Sequence, residues 1–275
     1  MKRIFVPTDF SSTSDSAIEY AARLAVTSNA SLILFHAFSF PIVNTYNAEI
    51  LAVPMDDVRI SCEVNLNDLK SKILDSYPSL NIETVCHLGF PKDEIDTYLS
   101  EKKVDLMIMG MKEADFLTEK LLGSTTTSLL ENKHCPVLLV RENSTFKMIR
   151  KIALAYDEAM EMNPLVEQRL NLIVDVFKPH ICFLRVVPNQ DKMSVPDTIE
   201  SINYHAALTN VSYSFHIEVE EDVTKGINRF VEENQVDLVV MMPREHTFFQ
   251  RLFNEPKTRS MAFHGNQIMM TIPGV

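Results

Sequence analysis

Glycine is scarce in this chain: six in 275 residues, at positions 89, 110, 123, 226, 265 and 274. That set cannot spell G-x-x-x-x-G-K-[ST] or G-x-G-x-x-G, which excludes a P-loop hydrolase and a dinucleotide fingerprint. An adenylating ligase finds no support either. Cysteine is also thin. Cys62, Cys86, Cys135 and Cys182 are scattered without a C-x-x-C pair, which argues against a zinc site and a disulfide framework and predicts buried or idle thiols. The eight histidines are equally dispersed; His36 and His180, near the second strand of each half, read as packing residues rather than ligands. No metal site is expected.

Long apolar runs are missing too. The longest, such as 32–35 and 238–242, fall far short of the ~18 residues a membrane helix needs. The basic start, Met1-Lys2-Arg3, is followed by an apolar run that stops at Pro7, with no room for a signal-peptide core. Basic residues are outnumbered 26 to 37, for a net charge of −11 and a pI near 5.2. That balance disfavours nucleic acid and anionic membranes as partners. The expectation is a cytoplasmic protein without a nucleic-acid or membrane partner. A small phosphorylated ligand stays open, because a local backbone nest can hold phosphate inside an acidic protein.

What is present is alternation. With 46% hydrophobic residues the chain can fill real cores. Residues 2–6 read as a strand stopped by Pro7, and Thr8-Asp9-Phe10-Ser11-Ser12 as a turn and helix cap. Ala17, Ile18, Ala21, Ala22, Leu24 and Ala25 then fall at helical spacing, and 31–37 read as a second buried strand. Residues 39–54, with two prolines and no clear period, read as a long loop before a helix over 56–77. A strand over 81–87, a helix from Pro91 to Lys102, a strand over 104–109 and a fifth over 136–140 complete one unit. A polar linker over 141–147 follows. The pattern then restarts: Lys2-Arg3-Ile4 through Asp9 resembles Arg150-Lys151-Ile152 through Asp157 at an offset of 148. Later the offset is 132, Val104-Asp105-Leu106 matching Val236-Asp237-Leu238, so the second copy is 16 residues shorter. The expectation is an α/β fold of two tandem copies of an open, mainly parallel five-stranded sheet with helices on both faces, as domains 1–142 and 143–275. Their fifth strands, near 136–140 and 267–272, are expected to pack the halves together as a pseudo-symmetric pair.

Ligands of such sheets bind beyond the carboxyl ends of the strands. Pro7, Thr8, Asp9 and Gly110 all stand at such ends, Gly110 being read as the break after its strand. Gly123 is followed at once by Ser124-Thr125-Thr126-Thr127-Ser128 and then Leu129-Leu130, a helix start. Glycine lets a ligand approach the backbone, hydroxyls donate, and unpaired N–H groups carry partial positive charge, so the stretch can cradle an anion. The plainer reading makes Gly123 a turn, and Ser124 and Asp9 simple caps. Asp105 and Asp237 read as strand-entry turns.

These residues resemble the universal stress protein family over essentially the whole length, as a tandem member. The family's opening, strand then Pro-Thr-Asp-Phe-Ser, stands here as Pro7-Thr8-Asp9-Phe10-Ser11. Its nucleotide-binding members carry glycine, two residues, glycine, nine residues, then glycine and a hydroxyl residue. Gly110 and Gly123-Ser124 match that pattern, and Glu113 replaces its middle glycine. The resemblance implies a Rossmann-like, adenine nucleotide alpha hydrolase-like fold. It also implies that Asp9 and the backbone of Thr8 and Ala37 contact adenine beside Pro7, that Met109 and Gly110 line the ribose side, and that Gly123, Ser124, Thr125 and Thr126 hold phosphates. Lys112 is the nearby cation. In the second half Met242 stands at Gly110's place, Glu245 matches Glu113, and Asn254-Glu255-Pro256 replaces the Gly123-Ser124 region, so at most one site per chain is expected. The leading function is a stress-response regulator binding ATP or AMP, with Mg as a companion of the triphosphate and at most slow hydrolysis. The alternative is a protein-interaction module with both sites degenerate, which Glu113 favours. A homodimer stays open beside the intrachain pairing.

Overall fold

A computed structural model describes residues 1–39, 55–111, 128–130, 132–156, 163–188, 211–242 and 268–273. The first half runs β1 (Arg3–Pro7), α1 (Ser12–Ser28), β2 (Ser31–Phe38), α2 (Met55–Ser76), β3 (Ile82–Leu88), α3 (Pro91–Glu101), β4 (Leu106–Met111) and β5 (Val137–Arg141). The second runs β6 (Lys151–Ala155), α4 (Pro164–Phe177), β7 (His180–Val187), β8 (Tyr213–Val219), α5 (Val223–Asn234), β9 (Leu238–Met241) and β10 (Ile268–Thr271). Helix ends follow local chemistry. Ser11 caps α1 by accepting from the Ser14 N–H, and Asn29 closes it in the left-handed region at φ 53°. Pro91 and Pro164 sit in first turns, where a missing N–H costs nothing. No described helix is long and apolar enough to cross a membrane.

The strands form one sheet of ten, ordered β3-β2-β1-β4-β5-β10-β9-β6-β7-β8. This corrects the expectation of two separate five-stranded sheets. Each half keeps its own order, the second mirrored, and among the described residues the only antiparallel pairing is the seam of β5 with β10, where Leu139 lies beside Met269 and Val137 beside Thr271. The reason is edge chemistry: every residue of β5 and β10 is buried, and a buried edge needs partners for its N–H and C=O groups. Fifth-strand pairing supplies them to both halves at once.

Side chains alternate between the sheet's faces, and each face carries its own core. Ile4, Val6, Leu32, Leu34, Leu138 and Val140 join residues of α1, α2 and α4. Phe5, Ile33, Phe35, Met107 and Leu139 join residues of α3 and α5 on the other side. Both cores cross the seam without interruption, taking in Leu154 and Met270 on one face and Ala153 and Met269 on the other. A strand buried on both faces reads as a continuous apolar run, which is how these strands appear in the sequence.

The repeat persists at atomic detail. Asp105 Oδ2 accepts from the N–H groups of Lys2 and Arg3 at 2.6 and 2.9 Å, and Asp237 Oδ2 accepts from those of Arg150 and Lys151 at 2.8 and 3.0 Å. Both aspartates therefore tie a strand entry to its neighbour. The polar stretch after β5, expected to be a plain linker, is docked. The Phe146 ring lies 5.1 Å from Tyr20 and 6.3 Å from Phe177, and Ile149 is buried. Arg169 of α4 closes the seam by donating to the carbonyls of Pro273, Lys133 and His134 at 2.6, 2.8 and 3.0 Å.

The cysteine expectation is overturned in part. Cys62 of α2 and Cys86 of β3 form a disulfide across 24 residues of sequence. Cys135 and Cys182 are free and buried, and burial pushes the Cys135 thiol up to about 12, an inert group. The two singled-out histidines are held by hydrogen bonds: His36 Nδ1 donates to the Thr8 carbonyl at 2.7 Å, and His180 lies between the hydroxyls of Ser212 and Ser214 at 2.9 and 2.8 Å.

Candidate functional site

In the first half, β1 has β2 on one side and β4 on the other, and the two crossovers leave toward opposite faces of the sheet. A crevice opens at the carboxyl ends of strands related in this way. Pro7, the last residue of β1, pairs with Phe35, placing Ala37 two residues beyond; Phe5 pairs with Met107, placing Met109 and Gly110 beyond it on the other side. Pro7, Thr8, Asp9, Ala37, Met109 and Gly110 are thus brought to one edge.

The turn after β1 is built from its own hydroxyls. The N–H of Thr8 donates to the Phe35 carbonyl at 2.8 Å, prolonging the ladder past the strand. The buried Thr8 hydroxyl accepts from the Phe10 N–H at 3.0 Å and meets the Ser14 hydroxyl at 3.0 Å. Phe10 takes the left-handed conformation at φ 61°, and its ring rests on His36 at 4.6 Å. Ser11 then serves two neighbours: its hydroxyl donates to Asp9 Oδ1 at 2.5 Å and accepts from the Ser14 N–H at 3.3 Å. Asp9 itself is exposed. Burial alone would raise its pKa, but hydrogen bonds from the Ser11 hydroxyl and N–H, from Ser14 and from its own N–H outweigh that and hold the carboxyl below its usual value. Asp9 is ionised at neutral pH, and both Ser11 donors fall on its Oδ1.

On the other side of β1, one expectation needs correction. The strand does not break at Gly110: β4 continues to Met111, Gly110 lies beside Val140, and the Glu142 N–H takes up the Met111 carbonyl at 2.8 Å. Glycine is required there because α1 comes close. A Cβ at Gly110 would strike the Thr13 carbonyl oxygen and lie 2.7 Å from both Thr13 C and Cγ2. The Met109 side chain is buried in the core on the α3 face, so what it presents at the strand end is its backbone. Its alternation along β4, not its nearness to the motif, sets its direction.

Sequence reading took Ser11 and Ser12 as capping residues and missed Glu142, Thr13 and Ser14. The Glu142 carboxylate accepts from the Ser12 hydroxyl at 2.7 Å and the Thr13 hydroxyl at 3.4 Å, placing negative charge at the first turn of α1, where the helix dipole favours it. The signal available was the hydroxyl-rich run Ser11-Ser12-Thr13-Ser14 itself. Lys112, Glu113, Gly123, Ser124, Thr125 and Thr126 lie outside the described residues, as do Glu245 and Asn254-Glu255-Pro256. Of the apolar pair expected after the cradle, Leu129 and Leu130 are both buried in the α3-side core.

Residues 1–141 match the universal stress protein family. The chain belongs to that family. The chain is similar to universal stress protein MJ0577 of Methanocaldococcus jannaschii, 25% identical over 157 residues that cover 52% of this chain and 97% of that one. It is also similar to universal stress protein YxiE of Bacillus subtilis, 29% identical over 147 residues covering 50% and 98%. Beyond the half, a universal stress protein from Archaeoglobus fulgidus shares the fold of the whole chain, with a TM-score of 0.74 over 98% of each chain at 16% identity. With the mirrored strand order, this shows the second half repeating the fold of the first.

Its two halves are unequal at the site. In the second, Tyr156 stands where Thr8 does, keeping the ladder bond from its N–H to the Leu184 carbonyl at 3.0 Å. The small hydroxyl that anchors the first-half turn is therefore replaced by a large ring, 6.3 Å from Phe183. Met242 replaces Gly110 and packs against the core.

Proposed function

We propose that residues 1–142 bind one adenine nucleotide, ATP or AMP, at the carboxyl ends of β1, β2 and β4. Residues 143–275 act as a structural partner, and the chain is a stress-response regulator rather than an enzyme. The observation carrying this reading is the turn from Pro7 to Ser14, which holds an ionised, exposed Asp9 at the crevice with the Ser11 donors on its Oδ1. An ionised carboxylate accepts hydrogen bonds and suits an exocyclic amine such as that of adenine. The Thr8 N–H is already taken by Phe35 and its carbonyl by His36, so Asp9 carries most of the base contact on the β1 side. Phosphates would lie toward Gly123, Ser124, Thr125 and Thr126, with Lys112 as the nearby cation.

Among the described residues no group of three or more His, Cys, Asp or Glu could hold a metal ion. Magnesium would accordingly arrive with the triphosphate rather than in a protein cage. Fast hydrolysis needs a positioned water and a charge-stabilising group at the γ-phosphate, for which Lys112 is the one candidate in the motif. The second reading, an interaction module without nucleotide, is favoured by Glu113 in place of a glycine. Mass spectrometry of small molecules released on denaturing the purified chain separates the two. ATP or AMP at up to one per chain is expected; no nucleotide released, and none taken up from added ATP, would leave the interaction module.

A further inference from the structure

Helix α2 is held unevenly. Over its first ten described positions, residues 56–65, Cys62 is the one buried side chain, at 4% exposure, while Ile60 and Val64 are 52% and 50% exposed. Farther along, Leu66 and Ile73 dock the helix against the core. A helical stretch of about ten residues without packing is marginal in water. The bond from Cys62 to Cys86 is therefore what fixes the amino-terminal half of α2 to the sheet. Cys86 lies toward the carboxyl end of β3, in register with His36 of β2, whose ring holds the Thr8 carbonyl and lies 4.6 Å from the Phe10 ring, tilted against it. The pinned end of the helix is the end nearest the turn after β1.

We propose that Cys62 and Cys86 form a redox site that exchanges with low-molecular-weight thiols and disulfides and so controls docking of residues 55–65. In the opening direction a thiolate attacks one sulfur of the pair, forming a mixed disulfide and releasing the other cysteine as a thiolate. A second thiol attacks the mixed disulfide and leaves as the small-molecule disulfide. The S–S bond is thereby reduced to two thiols with two electrons and two protons from two thiol molecules. Closing is the reverse, with the small-molecule disulfide as oxidant. Disulfides of this kind in reducing compartments are usually transient and redox-sensing. The paired state keeps the first turns of α2 on β3; the open state leaves them held only by a buried thiol, with Ile60 and Val64 on a loosened surface. The site is independent of whether nucleotide binds.

The test uses the full chain equilibrated in oxidised or in reduced glutathione. Intact mass after alkylation under denaturing conditions counts free thiols, and hydrogen exchange reads each segment. Two alkylated cysteines are expected in the oxidised sample and four in the reduced one. Exchange at 55–65 should be at least tenfold faster after reduction, with β2 and β3 unchanged. Cys62→Ser should show the fast exchange in both buffers, and Cys135→Ser should behave as wild type. Four alkylated cysteines after oxidation, or equal exchange at 55–65 in the two states, would overturn the proposal.

Discussion

At the residue scale the proposed site sets one favourable carboxylate, Asp9, against one unfavourable one, Glu113. Asp9 is held ionised by donors that include Ser11 and Ser14. A group whose folded pKa is depressed contributes stability that is full above the unfolded value, near 3.8, and is lost as pH falls through the folded one. Asp9→Asn should cost about 1 kcal/mol or less at pH 7, since the group is exposed and screened. The difference from wild type should shrink in urea titrations below about pH 4; a constant difference from pH 7 to 3 would contradict this account of the turn. Glu113 acts the other way. Two like charges ~4 Å apart repel by roughly 4 kcal/mol at an effective dielectric near 20, before solvent and salt reduce it. A residue of about 1–3 kcal/mol corresponds to roughly a 5- to 150-fold loss of affinity. Because the penalty grows with phosphate charge, Glu113→Gly should tighten ATP far more than AMP or adenosine in calorimetric titration. Equal changes for all three would show that Glu113 does not face the phosphates.

At the scale of elements, β4 illustrates what a sequence hides. Gly110 reads as a strand end because glycine inside a strand weakens it, whereas here it lets the α1 backbone approach at Thr13. Gly110→Ala should therefore cost roughly 1–3 kcal/mol in urea denaturation, because backbone cannot move aside as side chains do. Gly226→Ala on α5, where the three atoms nearest the new Cβ belong to the side chains of Val186 and Glu220, should cost less; the reverse order would deny Gly110 its packing role. The strands and helices themselves were legible, since doubly buried strands print as apolar runs and Ser11, Asn29 and Pro91 mark helix ends. Three features were not. The Cys62–Cys86 bond joins residues with no spacing signature. The docking of 142–149 rests on Phe146 and Ile149, two apolar residues in a polar run. The burial of the Met109 side chain shows only once its side of the strand is known.

At the scale of the molecule, duplication has produced a scaffold with one candidate site. The seam of β5 with β10, the two cores that cross it and the Arg169 clamp make the second half part of the first half's support. The second half keeps the structural aspartate, Asp237, yet has Tyr156 and Met242 where the first has Thr8 and Gly110. The central claim is one nucleotide per chain, bound in the first half. Isothermal titration of the nucleotide-free chain with ATP tests it, alongside Gly123→Val, which puts a branched side chain where phosphate must reach the backbone. The account predicts a stoichiometry of about one for the wild type and no binding for the variant; two sites per chain, or undiminished binding by Gly123→Val, would contradict it.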